Sequence, residues 1–152
     1  MKSLELKIPP VLLLIAFIGG TWFLRHPEYP MFEITLSNII AAGVLVAALS
    51  IIFLGVIGFR RQQTSVDPRF PRQTSSLVVH GIYRFSRNPM YLGFALILAG
   101  WCVFLASLSA ALLVPVFVIY LDRWQIQPEE RVLESIFKQE YLAYKARVRR
   151  WL

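Results

Sequence analysis

Two short stretches of this chain gather side chains able to work on a charged ligand. The first runs Gly81-Ile82-Tyr83-Arg84-Phe85-Ser86-Arg87-Asn88-Pro89-Met90-Tyr91-Leu92-Gly93, directly before a long apolar run. Pro89 suits the first turn of a helix, where its missing N–H costs nothing, and Asn88 before it is placed to cap that turn. Exposed backbone N–H groups at such a helix start, with Arg87 beside them, favour an anionic group. The same residues also suit an interfacial belt of aromatics and arginines. The second stretch opens with Pro128-Glu129-Glu130. Val132, Leu133, Ile136, Phe137, Tyr141, Tyr144 and Val148 then recur at three- and four-residue steps, the mark of an amphipathic helix. There the two acids complement the helix dipole, and Arg147, Arg149 and Arg150 complement its other end and a membrane surface. His80 is a lone loop histidine and reads as a solvated bystander, with a part in proton transfer left open.

The elements that must hold these stretches are apolar. The 152 residues are 57% hydrophobic and 16% charged, whereas a soluble domain carries about 25% charged residues. Residues 8–24, 34–59 and 88–121 contain no Asp, Glu, Lys or Arg, and uncharged apolar runs of about 18 residues or more read as membrane spans. The third run, as one helix, would reach ~51 Å. That overshoots the bilayer, so it folds into a hairpin with its turn near Ala106-Ser107-Leu108-Ser109. Gly43, Ala47 and Ala48 offer a small-residue face for close helix contact in the second span. The expected fold is all-α and polytopic, a single domain with four spans at about 8–24, 34–59, 89–105 and 109–124. A cytoplasmic amphipathic helix ends the chain.

Charge orients the spans. A net charge of +7 suggests nucleic acid only until the charges are placed. With both termini cytoplasmic, fifteen of the sixteen basic residues fall on the cytoplasmic side, six of them in residues 60–87 and seven after Leu121. That is the positive-inside arrangement, and three spans would put the last seven outside. The arginines of the 60–87 loop, Arg60, Arg61, Arg69 and Arg72, read as anchors for anionic lipid. The single cysteine, Cys102, lies within a span, so it forms no intrachain disulfide and reads as a packing residue.

Taken together, Gly-x-Tyr-x-x-x-Arg-Asn-Pro-Met-Tyr-x-Gly at a span entrance and Glu-Glu-x-x-Leu-x-x-x-Phe-x-x-x-Tyr-x-x-Tyr-x-x-x-Val after a hairpin resemble a membrane methyltransferase. The family is that of isoprenylcysteine carboxyl methyltransferase and the related phospholipid N-methyltransferases, and the match covers about residues 75–150. The resemblance implies S-adenosyl-L-methionine as donor, bound at the cytoplasmic face. Carried over position by position, its pocket uses Ser76, Leu77, Val78, Tyr83, Asn88, Pro89, Met90, Tyr91, Glu129, Glu130 and Tyr141. Arg87, Tyr91 and Arg123 are the candidates at the reacting centre, with Arg123 steering an anionic acceptor head. The implied acceptor is lipid-like or prenylated, carries a carboxylate, amine or thiol, and enters from the bilayer. A bacterial inner membrane is the expected location. No metal and no nucleic acid are implied.

Three positions depart from the pattern. Asn88 stands where isoprenylcysteine enzymes commonly have His, Lys138 stands where a glycine usually follows the phenylalanine, and Gln125 stands near the alignment of an acceptor-contacting arginine. Two other classes compete. Sterol reductases share a similar membrane core and use NADPH, but they are much longer. A scaffold or small transporter is the other, although transport normally places ionisable residues inside spans, and none lies in the three runs.

Overall fold

The computed structural model describes residues 5–24, 36–62 and 76–152. Among them every regular element is helical: α1 (Pro10–Leu24), α2 (Leu36–Arg61), a 3-10 turn (Gly81–Arg84), α3 (Pro89–Phe104), the single turn α4 (Leu108–Ala111), α5 (Leu113–Leu121) and α6 (Gln127–Arg147). Lys2, Arg25, Arg69 and Arg72, which carry part of the charge argument, lie outside the described residues.

The central helix is α3, packed against α2 and against α1, α4 and α5. Its contact with α2 is close because small residues face each other at seven-residue steps. Gly100 lies against Val44 and the Ala41 carbonyl, Gly93 against Ile52 and the Ala48 carbonyl, and Gly55 against Met90. The small face of α2 is therefore Ala41, Ala48 and Gly55, which are buried. That corrects the expected Gly43–Ala47–Ala48 face: Gly43 meets open space and Ala47 is exposed. Seven residues bring a helix back to the same side after two turns, whereas four do not keep one narrow seam. The outer side of α2 exposes Ile39, Ile40, Val46, Leu49 and Phe53, an apolar surface suited to hydrocarbon rather than water.

Among the described residues two helices are long and apolar enough to cross a membrane, Leu36–Arg61 and the continuous stretch Leu108–Arg147. Helices α1 and α3 have 15 and 16 residues, or about 22–24 Å at ~1.5 Å per residue. The chain reverses after α3 within the expected hairpin turn. Ala106 takes φ 48°, and Ser107 caps α4 by accepting from the Ala110 N–H at 3.3 Å. Cys102 packs there with Leu105 and Ala110.

The final amphipathic helix is not separate from the hairpin, as the sequence suggests; it continues from it through a π turn at Asp122–Ile126. Pro128 supplies the reason. It has no N–H to give the Trp124 carbonyl, and Leu6 from the N-terminal segment donates to that carbonyl instead, at 3.1 Å. One turn is widened, with the Gln127 N–H reaching the Asp122 carbonyl, and the helix goes on. The extra residue turns both Gln125 and Ile126 inward, where they are wholly buried.

Helix α6 is broken once, at Lys138, with φ 45° and ψ −118°. This conformation suits glycine and strains any residue bearing a Cβ. The position is the one where the resembled family commonly has glycine. Lys138→Gly is therefore expected to raise stability by about 1 kcal/mol, read as a higher unfolding midpoint in detergent. Lys138→Ala, which keeps the Cβ, should bring no gain.

Candidate active site

Helix α3 begins at Pro89, which occupies its first turn as expected, and Asn88 precedes it. Asn88 does not cap the turn through its side chain, which corrects that expectation. Its Nδ2 donates to the Arg150 carbonyl at 3.1 Å, and the Ser86 hydroxyl accepts from the Asn88 N–H at 3.1 Å. The competing partner is the segment after α6, which lies against the α3 entrance. Its carbonyls are met by successive donors. The Arg87 N–H reaches Arg149, and Arg87 Nη1 reaches Val148 at 2.6 Å.

The start of α6 projects two adjacent carboxylates in different directions. Glu130 is buried, and both of its oxygens are held, by Arg87 Nη2 at 2.7 Å and by Arg150 Nη2 at 2.7 Å. Arg150 also reaches Asp122 on the π turn at 3.0 Å. Burial pushes the Glu130 carboxyl upward, but the hydrogen bonds from Arg150 and Arg87 outweigh it and leave the group below its ordinary range. Arg150, expected on the membrane surface, is thus a structural cation that joins the chain end to α6 and the π turn. A long side chain at a helix exit can turn inward when buried acids are within reach, and sequence position alone does not show them.

Glu129 faces the other way. Half-buried, it accepts from the Tyr91 hydroxyl at 2.7 Å. Withdrawal from water is the largest influence on it and the Glu130 charge adds to that, while the Tyr91 hydrogen bond opposes. Its carboxyl is pushed up to about 8. Tyr91 itself is buried among Leu13, Leu14, Ala95, Leu98, Phe117, Leu121 and Ile126.

The remaining candidates form an aromatic wall. Leu77, Val78, Tyr83, Tyr141 and Tyr144 are buried together, with Phe59, Ile82 and Leu133 against them. The Tyr144 hydroxyl donates to the Tyr83 carbonyl at 2.7 Å, which ties the far half of α6 to the 3-10 turn. The Tyr83 hydroxyl, by contrast, is buried and has no hydrogen-bond partner among the described residues. Burial raises its pKa most, followed by Tyr144 and Glu129. Ser76 donates to the Gln62 carbonyl at 3.3 Å, near the end of α2. Met90 is half-buried beside Gly55, Arg123 is exposed on the π turn and His80 is exposed before the 3-10 turn.

The structure therefore joins Tyr91 to Glu129, joins Arg87 to Glu130, and sets Leu77, Val78, Tyr83 and Tyr141 in one wall beside them. Sequence reasoning missed Asp122, Arg150 and Ser86. A signal was available for Asp122, the first charge after a 34-residue uncharged run.

Comparison with known proteins identifies the family. An uncharacterized protein from Haemophilus influenzae is 46% identical over 63 residues, which is 41% of this chain and the whole of that protein. No solved structure matches. The family profile described as phospholipid methyltransferase matches residues 36–140, from the start of α2 past Glu129 and Glu130 of α6. With most of its length matched, the chain belongs to the phospholipid methyltransferase family.

Proposed function

We propose that this protein binds S-adenosylmethionine beside Glu129 and transfers its methyl group to a lipid-like acceptor at the cytoplasmic face of a membrane. The observation that carries the reading is the Glu129–Tyr91 pair, 2.7 Å apart, set next to a buried Tyr83 hydroxyl that has no partner among the described residues. These groups fit the donor's chemistry. A carboxylate suits its amino and hydroxyl groups, an unused phenol offers another polar contact, and Leu77, Val78, Pro89 and Met90 offer apolar surface to an adenine. When bound, the donor supplies an electrophilic methyl on a positively charged sulfur.

The chain's own residues then position and shield. Tyr91 orients Glu129, and its ring and that of Tyr83 offer faces attractive to a cation. Ser76 anchors the segment that carries Leu77 and Val78, and Asn88 fixes the chain end. Arg87 and Glu130 are positioning residues, because each is already engaged by the other and by the terminal segment. Tyr141 backs the aromatic wall. Arg123, exposed on the π turn, steers an anionic group of the acceptor. Methyl transfer is an in-line displacement, so correct placement supplies most of the acceleration. Among the described residues there is little surface outside the helices for a large polar substrate, so an apolar tail lodges between helices at about 0.8 kcal/mol per buried methylene. Four helices cross the bilayer with both termini cytoplasmic, a reading supported by the bias of basic residues.

Binding of radiolabelled donor to the detergent-purified protein tests the reading. The protein should bind, and Glu129→Gln should weaken binding ~10- to 100-fold through loss of a charge-assisted hydrogen bond. Glu134→Gln should be silent, because Glu134 pairs with Lys145 at 3.2 Å in a half-exposed position, where an ion pair is worth little. Equal losses at the two positions would show that the wrong carboxylate carries the donor.

A further inference from the structure

The geometry points to a sprung strap: the far half of α6 with residues 148–150 closes over the aromatic wall, hinged at Lys138 and latched at the α3 entrance, and the donor enters and leaves only while it is lifted. This gate rests on the reading of the wall as donor-binding and adds how that pocket opens. The hinge is the residue inside α6 that leaves the helical region, with φ 45° and ψ −118°. A residue bearing a Cβ is strained there. The strain lasts only while the helix is bent, because a far half that swings into line with the near half returns Lys138 to ordinary helical angles. The closed form therefore carries a bias toward opening that the latch must exceed.

Little apolar contact holds the far half down. Of residues 139–147 only Tyr141 and Tyr144 are buried, against Leu77, Val78 and Tyr83. Segments with so few buried contacts open well below the free energy of global unfolding. The latch is made of hydrogen bonds instead. The Tyr144 hydroxyl donates to the Tyr83 carbonyl at 2.7 Å. Arg87 Nη1 donates to the carbonyls of Lys145 at 3.2 Å and Val148 at 2.6 Å, and the Arg87 N–H donates to that of Arg149. Ser86 Oγ and Asn88 Nδ2 both donate to the Arg150 carbonyl. The acceptors sit at a helix exit, where carbonyls have no partner further along the helix, so water can take the donors' place when the strap lifts. Arg150 ties the loop shut, its guanidinium reaching Glu130 at 2.7 Å and Asp122 at 3.0 Å. The chain leaves Glu130, bends at Lys138 and is bound back to Glu130 twenty residues later. Glu130 precedes the hinge and is the fixed post of the strap.

A donor that passes only through the open form has association and dissociation rates that both scale with the open fraction, so their ratio, the affinity, does not change. Rapid mixing and chase of radiolabelled S-adenosylmethionine on the purified full chain read both rates. Tyr144→Phe keeps the ring and removes a hydrogen bond made only when the strap is down, so both rates should rise about fivefold. Lys138→Gly relieves the bent form, and both should fall about fivefold. Lys138→Ala, which keeps the Cβ, should leave them unchanged. Lys138→Gly is also expected to be the more stable protein, so slower exchange there does not come from damage to the fold. A second readout needs no donor. In a Cys102→Ala background, Leu77→Cys places a thiol in the wall, and its reaction with a water-soluble maleimide should speed up in Tyr144→Phe and slow in Lys138→Gly. A merely packing role for Tyr144 would raise dissociation alone and weaken affinity. That result, rates that fail to move in opposite directions in the two variants, or labelling insensitive to both overturns the strap. Labelling that responds as expected in a protein that binds no donor would sink the donor-binding reading and leave the strap standing.

Discussion

Glu130→Ala is expected to cost about 3–5 kcal/mol of stability, the usual effect of removing one partner from a buried ion pair. The glutamate is buried, and the Arg87 side chain is only 8% exposed. Truncation would leave that guanidinium with backbone carbonyls alone and strip Arg150 of its strongest partner. The consequence reaches beyond the pair, because Arg87 and Arg150 fix the terminal segment across the α3 entrance. Thermal unfolding in detergent should show a larger drop than for Glu129→Gln or Glu134→Gln. Glu130→Gln, which keeps the volume and one acceptor oxygen, should lose less. The carboxyl sits below its ordinary range, so its contribution is present above that ordinary value and is lost only as pH falls through the depressed folded value. A Glu130→Ala protein as stable as the unaltered one would mean the network is ornamental.

Donor affinity should rise steeply with pH and level off near 8. Glu129 is shifted from its ordinary 4.5 to about 8, chiefly by burial, and a positively charged donor prefers the ionised form. Below pH 8 binding must displace a proton, so affinity should climb about tenfold per pH unit and then flatten. Glu129→Gln has no proton to lose and should bind with little pH dependence in this range. The two proteins should then differ ~10- to 100-fold above pH 8 and approach each other near pH 6. The sign for stability is opposite to that of Glu130. With the folded value raised, the folded chain holds a proton that the unfolded chain releases above 4.5. The associated stability is full below 4.5 and is lost as pH rises through 8. A flat donor-affinity profile would remove Glu129 from contact with the donor's charge.

Much of the helical content was legible because apolar runs, a first-turn proline and three- and four-residue steps are local signals. The hairpin turn at Ala106–Ser107 was legible for the same reason: small and hydroxylated residues interrupt bulky ones. The resemblance carried Tyr91 and Glu129 to neighbouring places, but nothing local says that one would hold the other. Two readings failed where a distant group competed for a side chain. Asn88 has the residue type and place of a cap, yet the Arg150 carbonyl, 62 positions away, takes its amide. Arg150 has the place of a surface cation, yet Glu130 and Asp122 draw it inward.

The same division holds across the molecule. Sequence alone determined an all-helical, strongly apolar chain, a span entrance at Pro89 and the family pattern, because helix propensity, hydropathy and motif spacing belong to neighbours along the chain. Tertiary structure alone decided that Glu129 and Glu130 part ways, one toward Tyr91 and the other into two arginines. It also decided that Pro128 widens the helix instead of ending it, since only the folded chain brings the Leu6 N–H to the carbonyl that the proline leaves free. Burial, charge pairing and the filling of an open hydrogen bond depend on what arrives from elsewhere in the chain, and they set the chemistry of this site.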